Sequence, residues 1–191
     1  MLEVITIENK KDSEKSNDAI WKDQVIASFN SFYKQNNFSE SIDKKSSLEQ
    51  FWSFIKTDKI HLVIKQNKFI GFFINVTHKS NKELSFMVFS HPNACPLSLR
   101  SILKCALFRS FILVSKTPSL YENIEFVTWH PALVTVIKSL VPHVEVHYLN
   151  ATYIICNITI TQFIISLFNA TISKYLENPQ HLNENSYKIL Y

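Results

Sequence analysis

A single glycine, Gly71, is the feature that most constrains what this chain of 191 residues can fold into. At the usual share of about 7%, a chain of this length would carry about 13 glycines. Glycine supplies turns with positive φ and lets the backbone approach a bound phosphate closely. Neither the phosphate-binding motif G-x-x-x-x-G-K-[ST] nor the dinucleotide-binding motif G-x-G-x-x-G can be written with one glycine. The sequence therefore excludes both of these nucleotide-binding classes.

The composition is that of a folded protein, with 46% hydrophobic and 19% charged residues. A chain of this size can bury a core without disulfides or metals. The net charge is +4, and the basic residues alternate with acidic ones, so we expect no nucleic-acid partner. The three cysteines form no C-x-x-C motif and are expected to be buried thiols in a reducing compartment. Because acidic residues bracket the first apolar run and no apolar run reaches about 20 residues, we expect neither a signal peptide nor membrane association.

The spacing of apolar residues predicts the order of the elements. Alternation with a period of two predicts strands at 2–7, 60–64, 69–76, 84–89, 124–129, 143–148 and 152–159. Steps of three and four residues predict helices at 18–34, 47–55, 96–115, 131–140 and 161–176. This order indicates an α/β domain with a mixed central sheet.

Two stretches of the chain resemble the GNAT acyltransferase superfamily. The hairpin 60–76 has Gly71 after an isoleucine, as the family hairpin does, and the strand 84–89 is followed by His91-Pro92 and a helix. The segment 126–149 is similar to the family's fifth strand, fourth helix and next strand. The resemblance implies a GNAT-like domain over residues 1–160, with a mixed central β-sheet flanked by helices. It also implies that the strands beginning at Leu84 and Ile124 lie side by side and parallel, and that they separate at their carboxyl ends. A C-terminal helix at 161–177 would be an addition packed on this domain, and 178–191 would be a loosely held polar tail.

The cofactor loop departs from the family pattern. In the family, loop glycines let backbone N–H groups close on the pyrophosphate of acyl-CoA at a helix N-terminus. Counted from the His-Pro pair, this chain has Pro96, Ser98 and Arg100 around the glycine positions. Proline has no N–H to donate, whereas an arginine side chain can contact phosphate. Ser98 and Arg100 are therefore the candidate residues for CoA binding, with acetyl-CoA as the implied cofactor.

The catalytic positions also depart from the family. Many members carry a tyrosine in the helix after the fifth strand, where this chain has Ile137 or Lys138. Glu83 lies where some members place the carboxylate that deprotonates the amine, although a solvated charge at a strand end would look the same. His143 and His147 lie on one face of a strand, as residues of an exposed sheet commonly do, and we expect no metal site.

These departures favour a non-catalytic protein with the GNAT fold. It would act as a structural or assembly subunit, for example as a virion-associated protein, because GNAT-like proteins are encoded beside structural genes in some phages. The alternative is an acyl-CoA-dependent N-acyltransferase with a degenerate cofactor loop. The outer face of the helix 161–176 is polar but weakly charged, which predicts a homo-oligomer or a protein partner there. The localisation would be cytoplasmic, or the virion if a phage encodes the chain.

Overall fold

An eight-stranded sheet forms the centre of the computed structural model. The structure describes residues 2–9, 18–35, 41–43, 45–46, 48–55, 57–95, 97–128, 131–148, 154–167 and 186–189. The strands are β1 Leu2–Glu8, β2 Lys59–Lys65, β3 Lys68–His78, β4 Glu83–Ser90, β5 Asn123–Thr128, β6 Glu145–Tyr148, β7 Ile154–Thr159 and β8 Ser186–Ile189. The helices are α1 Asp18–Gln35, α2 Leu48–Ile55, α3 Ser98–Lys116, α4 Pro131–Leu140 and α5 Ile160–Leu167, with a 3₁₀ turn at Pro118–Leu120. None of the described helices is long and apolar enough to cross a bilayer.

The strand order is β6-β7-β5-β4-β3-β2-β1-β8. The pair β4–β5 is parallel, and every other neighbouring pair is antiparallel. Parallel neighbours need a crossover connection, which α3 supplies here. The predicted mixed sheet flanked by helices is therefore confirmed.

Helices cover both faces of the sheet. On one face, α3, α4 and α5 bury apolar residues against alternate positions of the strands, such as Leu84 and Phe86 of β4. On the other face, α1 and α2 pack on the remaining positions, such as Phe72 of β3 and Phe89 of β4. The alternation of side chains along each strand assigns them to these two cores.

The C-terminal part differs from the sequence-based expectation. Helix α5 begins at Ile160, directly after β7, and packs on α3, β5 and β7. The rest of the predicted helix, 168–176, lies outside the described residues. Within the predicted polar tail, the structure describes one strand, β8, which pairs antiparallel with β1 at the edge of the sheet. This strand gives no signal in the sequence because it is short and its partner β1 is far away in the chain.

Candidate functional site

The parallel strands β4 and β5 separate in the middle of the sheet. Their register runs from Glu83↔Asn123 to Phe86↔Phe126, but β4 continues to Ser90. We call the point after Phe86 and Phe126 the β4–β5 fork. In open α/β sheets, ligands bind beyond the carboxyl ends of the strands, where neighbouring strands diverge. The fork is therefore the candidate ligand site of this sheet.

Backbone groups of β4 face the gap beyond the fork. The N–H of His91 donates to the carbonyl oxygen of Ile70 at 2.9 Å, which continues the pairing of β4 with β3. In an antiparallel pair, successive residues direct their backbone groups alternately to one side and the other. The N–H and C=O groups of Val88 and Ser90 therefore point away from β3, and no described strand pairs with them. They offer an extended ligand the hydrogen bonds that a neighbouring strand would make.

Two carboxylates lie beside the fork on the face opposite α3. Glu125 of β5 is directly opposite Ser85 of β4, one register position before the last pair. The Ser85 hydroxyl donates to Glu83 Oε1 at 2.9 Å. Partial burial and the negative charge of Glu83 raise the pKa of Glu125, against smaller opposing effects of His78 and Ser85. A carboxylate with a raised pKa is a stronger base than an ordinary one.

The first turn of α3 lies at the other end of the gap. No side chain caps this helix at Leu97. The Ser98 side chain is buried, and its N–H donates to the carbonyl oxygen of Cys95 at 2.7 Å. The Arg100 side chain is exposed. Of the two residues predicted to bind CoA, only Arg100 has an exposed side chain, while the N–H of Ser98 is part of the turn that starts the helix.

A cavity of about 340 Å³ adjoins this turn, between the end of α1 and the loop after β4. It is lined by Phe32, Gln35, Ser90, His91, Pro92, Ala94, Cys95 and Leu99. Burial lowers the pKa of His91, so its imidazole is neutral near pH 7. Its Nδ1 accepts the N–H of Asn93 at 3.3 Å, which leaves Nε2 as a donor. This volume is at the lower end of the range for small-molecule sites.

The structure separates the predicted site residues into two groups. Glu83 begins β4, seven residues or about 23 Å of strand before Ser90, whereas Ser98 and Arg100 lie beyond the strand's other end. Glu83 is close to the fork, but Glu125 is closer, and sequence reasoning missed it. Ile137 is buried in the core and Lys138 is exposed, so the structure offers no tyrosine-like acid there.

The expectation for the cysteines is correct for two of the three. Cys105 and Cys156 are buried, which raises the pKa of both thiols, that of Cys156 to about 11. Cys95 is exposed in the loop before α3, contrary to the prediction. The loop begins after a buried strand, and nothing in its sequence shows which of its side chains turn outward.

Comparison with solved structures decides the fold. FdhC, a nucleotide-linked sugar GNAT, matches with a TM-score of 0.53 over 91% of this chain and 93% of its own, at 8% identity. The chain has the GNAT fold. Spermidine N-acetyltransferase from Vibrio cholerae, in complex with CoA and spermine, has a TM-score of 0.53 at 11% identity and covers 84% of this chain and 98% of its own. A putative acetyltransferase from Acinetobacter baylyi has a TM-score of 0.52 at 12% identity, and the match covers 84% of this chain and 94% of its own. No family model and no curated protein matches the sequence.

Proposed function

We propose that this protein is an acyl-CoA-dependent N-acyltransferase that transfers an acyl group from a thioester to an amine. The observation that carries this proposal is the β4–β5 fork with Glu125 beside it. The gap presents the backbone groups of Val88 and Ser90 to an extended arm, and the fork ends the gap next to a carboxylate of raised pKa. A thioester held at the fork would lie within reach of an amine beside Glu125.

The chain's own residues would supply positioning and proton transfer. The nitrogen of the acceptor forms a bond to the thioester carbonyl carbon, and the bond from that carbon to sulfur breaks. The Glu125 carboxylate takes the proton that the nitrogen loses, as a general base. At the position of the family tyrosine, Ile137 has no proton to donate and Lys138 is exposed on α4, so we expect the thiolate to take its proton from solvent. Holding the two reactants together supplies most of the acceleration.

The anion-binding part of the site offers fewer free backbone N–H donors than a glycine-rich loop does. Pro96 has no N–H, and the N–H of Ser98 is already bonded to Cys95. The uncapped first turn of α3 still carries the positive end of the helix dipole, and Arg100 adds a full charge. These groups are the ones that would contact the phosphates of CoA in this proposal, with Arg100 as the main side-chain contact.

The structural neighbours support the enzyme over the structural subunit, because those compared above are described as GNAT or acetyltransferase proteins. A non-catalytic role, including the one in a virion, remains a second candidate. The observation that favours it is the loop without glycine, in which the Ser98 N–H is occupied.

Calorimetric titration with acetyl-CoA separates the two candidates. We expect a Kd below about 100 μM, which corresponds to about 5 to 6 kcal/mol. Glu125→Gln is the matched control, because it leaves the phosphate-binding end of the gap intact and should bind acetyl-CoA as tightly as the wild type. Wild-type protein that binds no acetyl-CoA at millimolar concentration would refute the enzyme and leave the non-catalytic role.

A further inference from the structure

Half of the sheet is open on the face opposite α3. On this face, α1 and α2 form an apolar core with β1–β4, and that core contains no described residue of β5, β6 or β7. Along β5 and β7, buried residues alternate with half-exposed or exposed ones, and the buried apolar residues belong to the core on the α3 face. The intervening residues therefore lie on the open face, next to the fork.

Four residues of this open face form one polar row and one apolar row. Glu125 of β5 is directly opposite Asn157 of β7, and Val127 is directly opposite Ile155. All four residues are half-exposed. The side chains within a row are about 5 Å apart, and the two rows are two residues, or about 7 Å, apart along the strands. We call these four residues the β5–β7 patch.

The polar row can hold an ammonium group. The ionised Glu125 carboxylate carries a negative charge, and Glu83 adds a second negative charge that acts on the same position. The amide oxygen of Asn157 accepts hydrogen bonds, whereas a protonated amine only donates them. An amine between Glu125 and Asn157 thus has oxygens of both residues as partners. It also lies beside the fork, where the proposed function places the thioester.

The apolar row lies where the carbon body of such an amine can rest. Val127 is the first residue of β5 beyond the fork, and Ile155 continues the apolar surface onto β7. A hydrocarbon in contact with both side chains is removed from water on one side, which is favourable. On β6, the exposed His147 is opposite Ile155 and ends the apolar row. The β5–β7 patch therefore fits a short hydrocarbon body.

Glu145 of β6 offers a different partner, the second ammonium group of a diamine. It is opposite Asn157 and therefore two strand spacings, or about 10 Å, from Glu125. Its side chain is 76% exposed and lies 3.7 Å from the His147 ring. Ion pairs between exposed side chains contribute little, because water and salt screen them. The apolar row thus favours a hydrocarbon body more than Glu145 favours a second charge.

We propose that the β5–β7 patch binds the amine substrate and selects a primary amine with a short hydrocarbon body. Glu125 and Asn157 hold the nitrogen, and Val127 and Ile155 contact the carbon chain. This inference rests on the proposed N-acyltransferase function and names its class of amine.

The test is the rate of transfer from saturating acetyl-CoA to ethylamine, butylamine, hexylamine and 1,4-diaminobutane, measured as amine-dependent release of CoA. We expect kcat/KM to be about fourfold higher for butylamine than for ethylamine. A fully buried methylene contributes about fourfold in affinity, and one that rests on an open face about half of that free energy, or about twofold. Hexylamine should gain little more, because the apolar row ends at His147. The diamine should be poorer than butylamine, because its second charge would lie on the apolar row.

Two variants change the apolar row. Val127→Thr and Ile155→Thr introduce a hydroxyl group at half-exposed positions and keep the β-branched shape that strands favour. Each should reduce the preference for butylamine over ethylamine to less than about twofold. Val146→Thr is the matched control, because Val146 of β6 packs on the α3 face of the sheet, and it should keep the wild-type preference.

A third variant changes the polar row. Asn157→Ala should raise KM about tenfold for every amine, the loss of a hydrogen bond to a charged group. It should leave kcat and the preference for butylamine unchanged. A merely structural role of Asn157 would lower kcat and the amount of folded protein instead.

The possible failures are distinguishable. If the wild-type protein binds no acetyl-CoA, the proposed function is wrong and the patch loses its role with it. The proposed function stands and the β5–β7 patch alone is refuted if the protein binds acetyl-CoA but acetylates none of these amines, or if it prefers the diamine to butylamine. The same holds if both threonine variants keep the wild-type preference.

Discussion

Gly71 occupies a position in β3 that only glycine tolerates. Its φ is +151°, and a Cβ built there would lie 2.2 Å from the carbonyl oxygen of Phe89 and 2.5 Å from Cδ1 of Ile102. The register of β3 against β2 shifts beside it, so β3 carries a bulge there. The single glycine thus lets both α3 and the end of β4 approach β3 closely, immediately before the loop at the proposed CoA-binding end.

Gly71→Ala should cost about 3 kcal/mol or more, because a strained φ and an overpacked contact each cost about 1 to 3 kcal/mol. The midpoint of urea unfolding measures this loss. Val76→Ala, a half-buried position of the same strand, is the control and should cost less. A Gly71→Ala midpoint equal to that of the control would show that the bulge relaxes around a side chain.

Glu125 should carry the proton transfer. We expect Glu125→Gln to lower kcat by about 10²- to 10⁴-fold without weakening acetyl-CoA binding. In the wild type, the rate should rise with pH through the raised pKa of Glu125. Glu83→Gln removes the charge that helps to raise this pKa, so the rise of the rate should occur at a lower pH in this variant. A rise at the same pH as in the wild type would contradict the coupling of the two carboxylates.

The same raised pKa affects stability. Between the unfolded and folded pKa values of Glu125, the folded state binds more protons than the unfolded state, so its stability falls as pH rises through that window. Glutamine imitates the protonated carboxyl, and Glu125→Gln should therefore raise Tm at pH 7. This rise in Tm should become smaller as the pH falls below the ordinary pKa of a glutamate. Calorimetric unfolding at pH 7 and pH 4 measures it, and an equal Tm shift at both values would contradict this origin.

At the scale of elements, the first turn of α3 and the open side of β4 together form the proposed CoA site. Arg100 is the exposed cation of that turn. Arg100→Ala should weaken acetyl-CoA binding by about 1 to 3 kcal/mol, the range for a charge-assisted hydrogen bond. Lys104→Ala, one turn further along α3, is the control and should have a smaller effect. Unchanged affinity of Arg100→Ala in calorimetry would place the site elsewhere.

Local sequence patterns predicted most elements but not the arrangement around the fork. Period-two alternation located β4 and β5, and the GNAT resemblance predicted that they lie side by side and parallel, which the register confirms. Glu125 was missed because a glutamate on a half-exposed strand face looks the same with or without a function. Its pKa is raised by partial burial and by the charge of Glu83, and both follow from the packing and the strand register rather than from the local sequence. Strand β8 was missed for a similar reason, since its four residues are a strand only against β1.

At the scale of the whole molecule, α5 has an uncharged side that faces away from the domain. Its sequence, ITQFIISL, carries no charge. Phe163 is fully buried against the domain, whereas Ile165 on the other side is 51% exposed. An uncharged helix with an exposed isoleucine is typical of an interface rather than of a solvated surface. We infer that this side of α5 contributes to a homo-oligomer.

Light scattering at tens of micromolar should show a dimer or larger species of the wild-type protein. Ile165→Glu should give a monomer, because it places a charge in the contact between copies. The folded monomer should keep its stability, because the side chain of Ile165 is exposed and the substitution changes no buried position of the domain. Thr161→Glu adds the same charge at another exposed position of α5 and should leave the mass unchanged if the contact centres on Ile165. If the wild-type protein is a monomer at this concentration, α5 only covers its own sheet. If both variants dissociate the oligomer equally, the added charge and not a specific contact at Ile165 causes the dissociation.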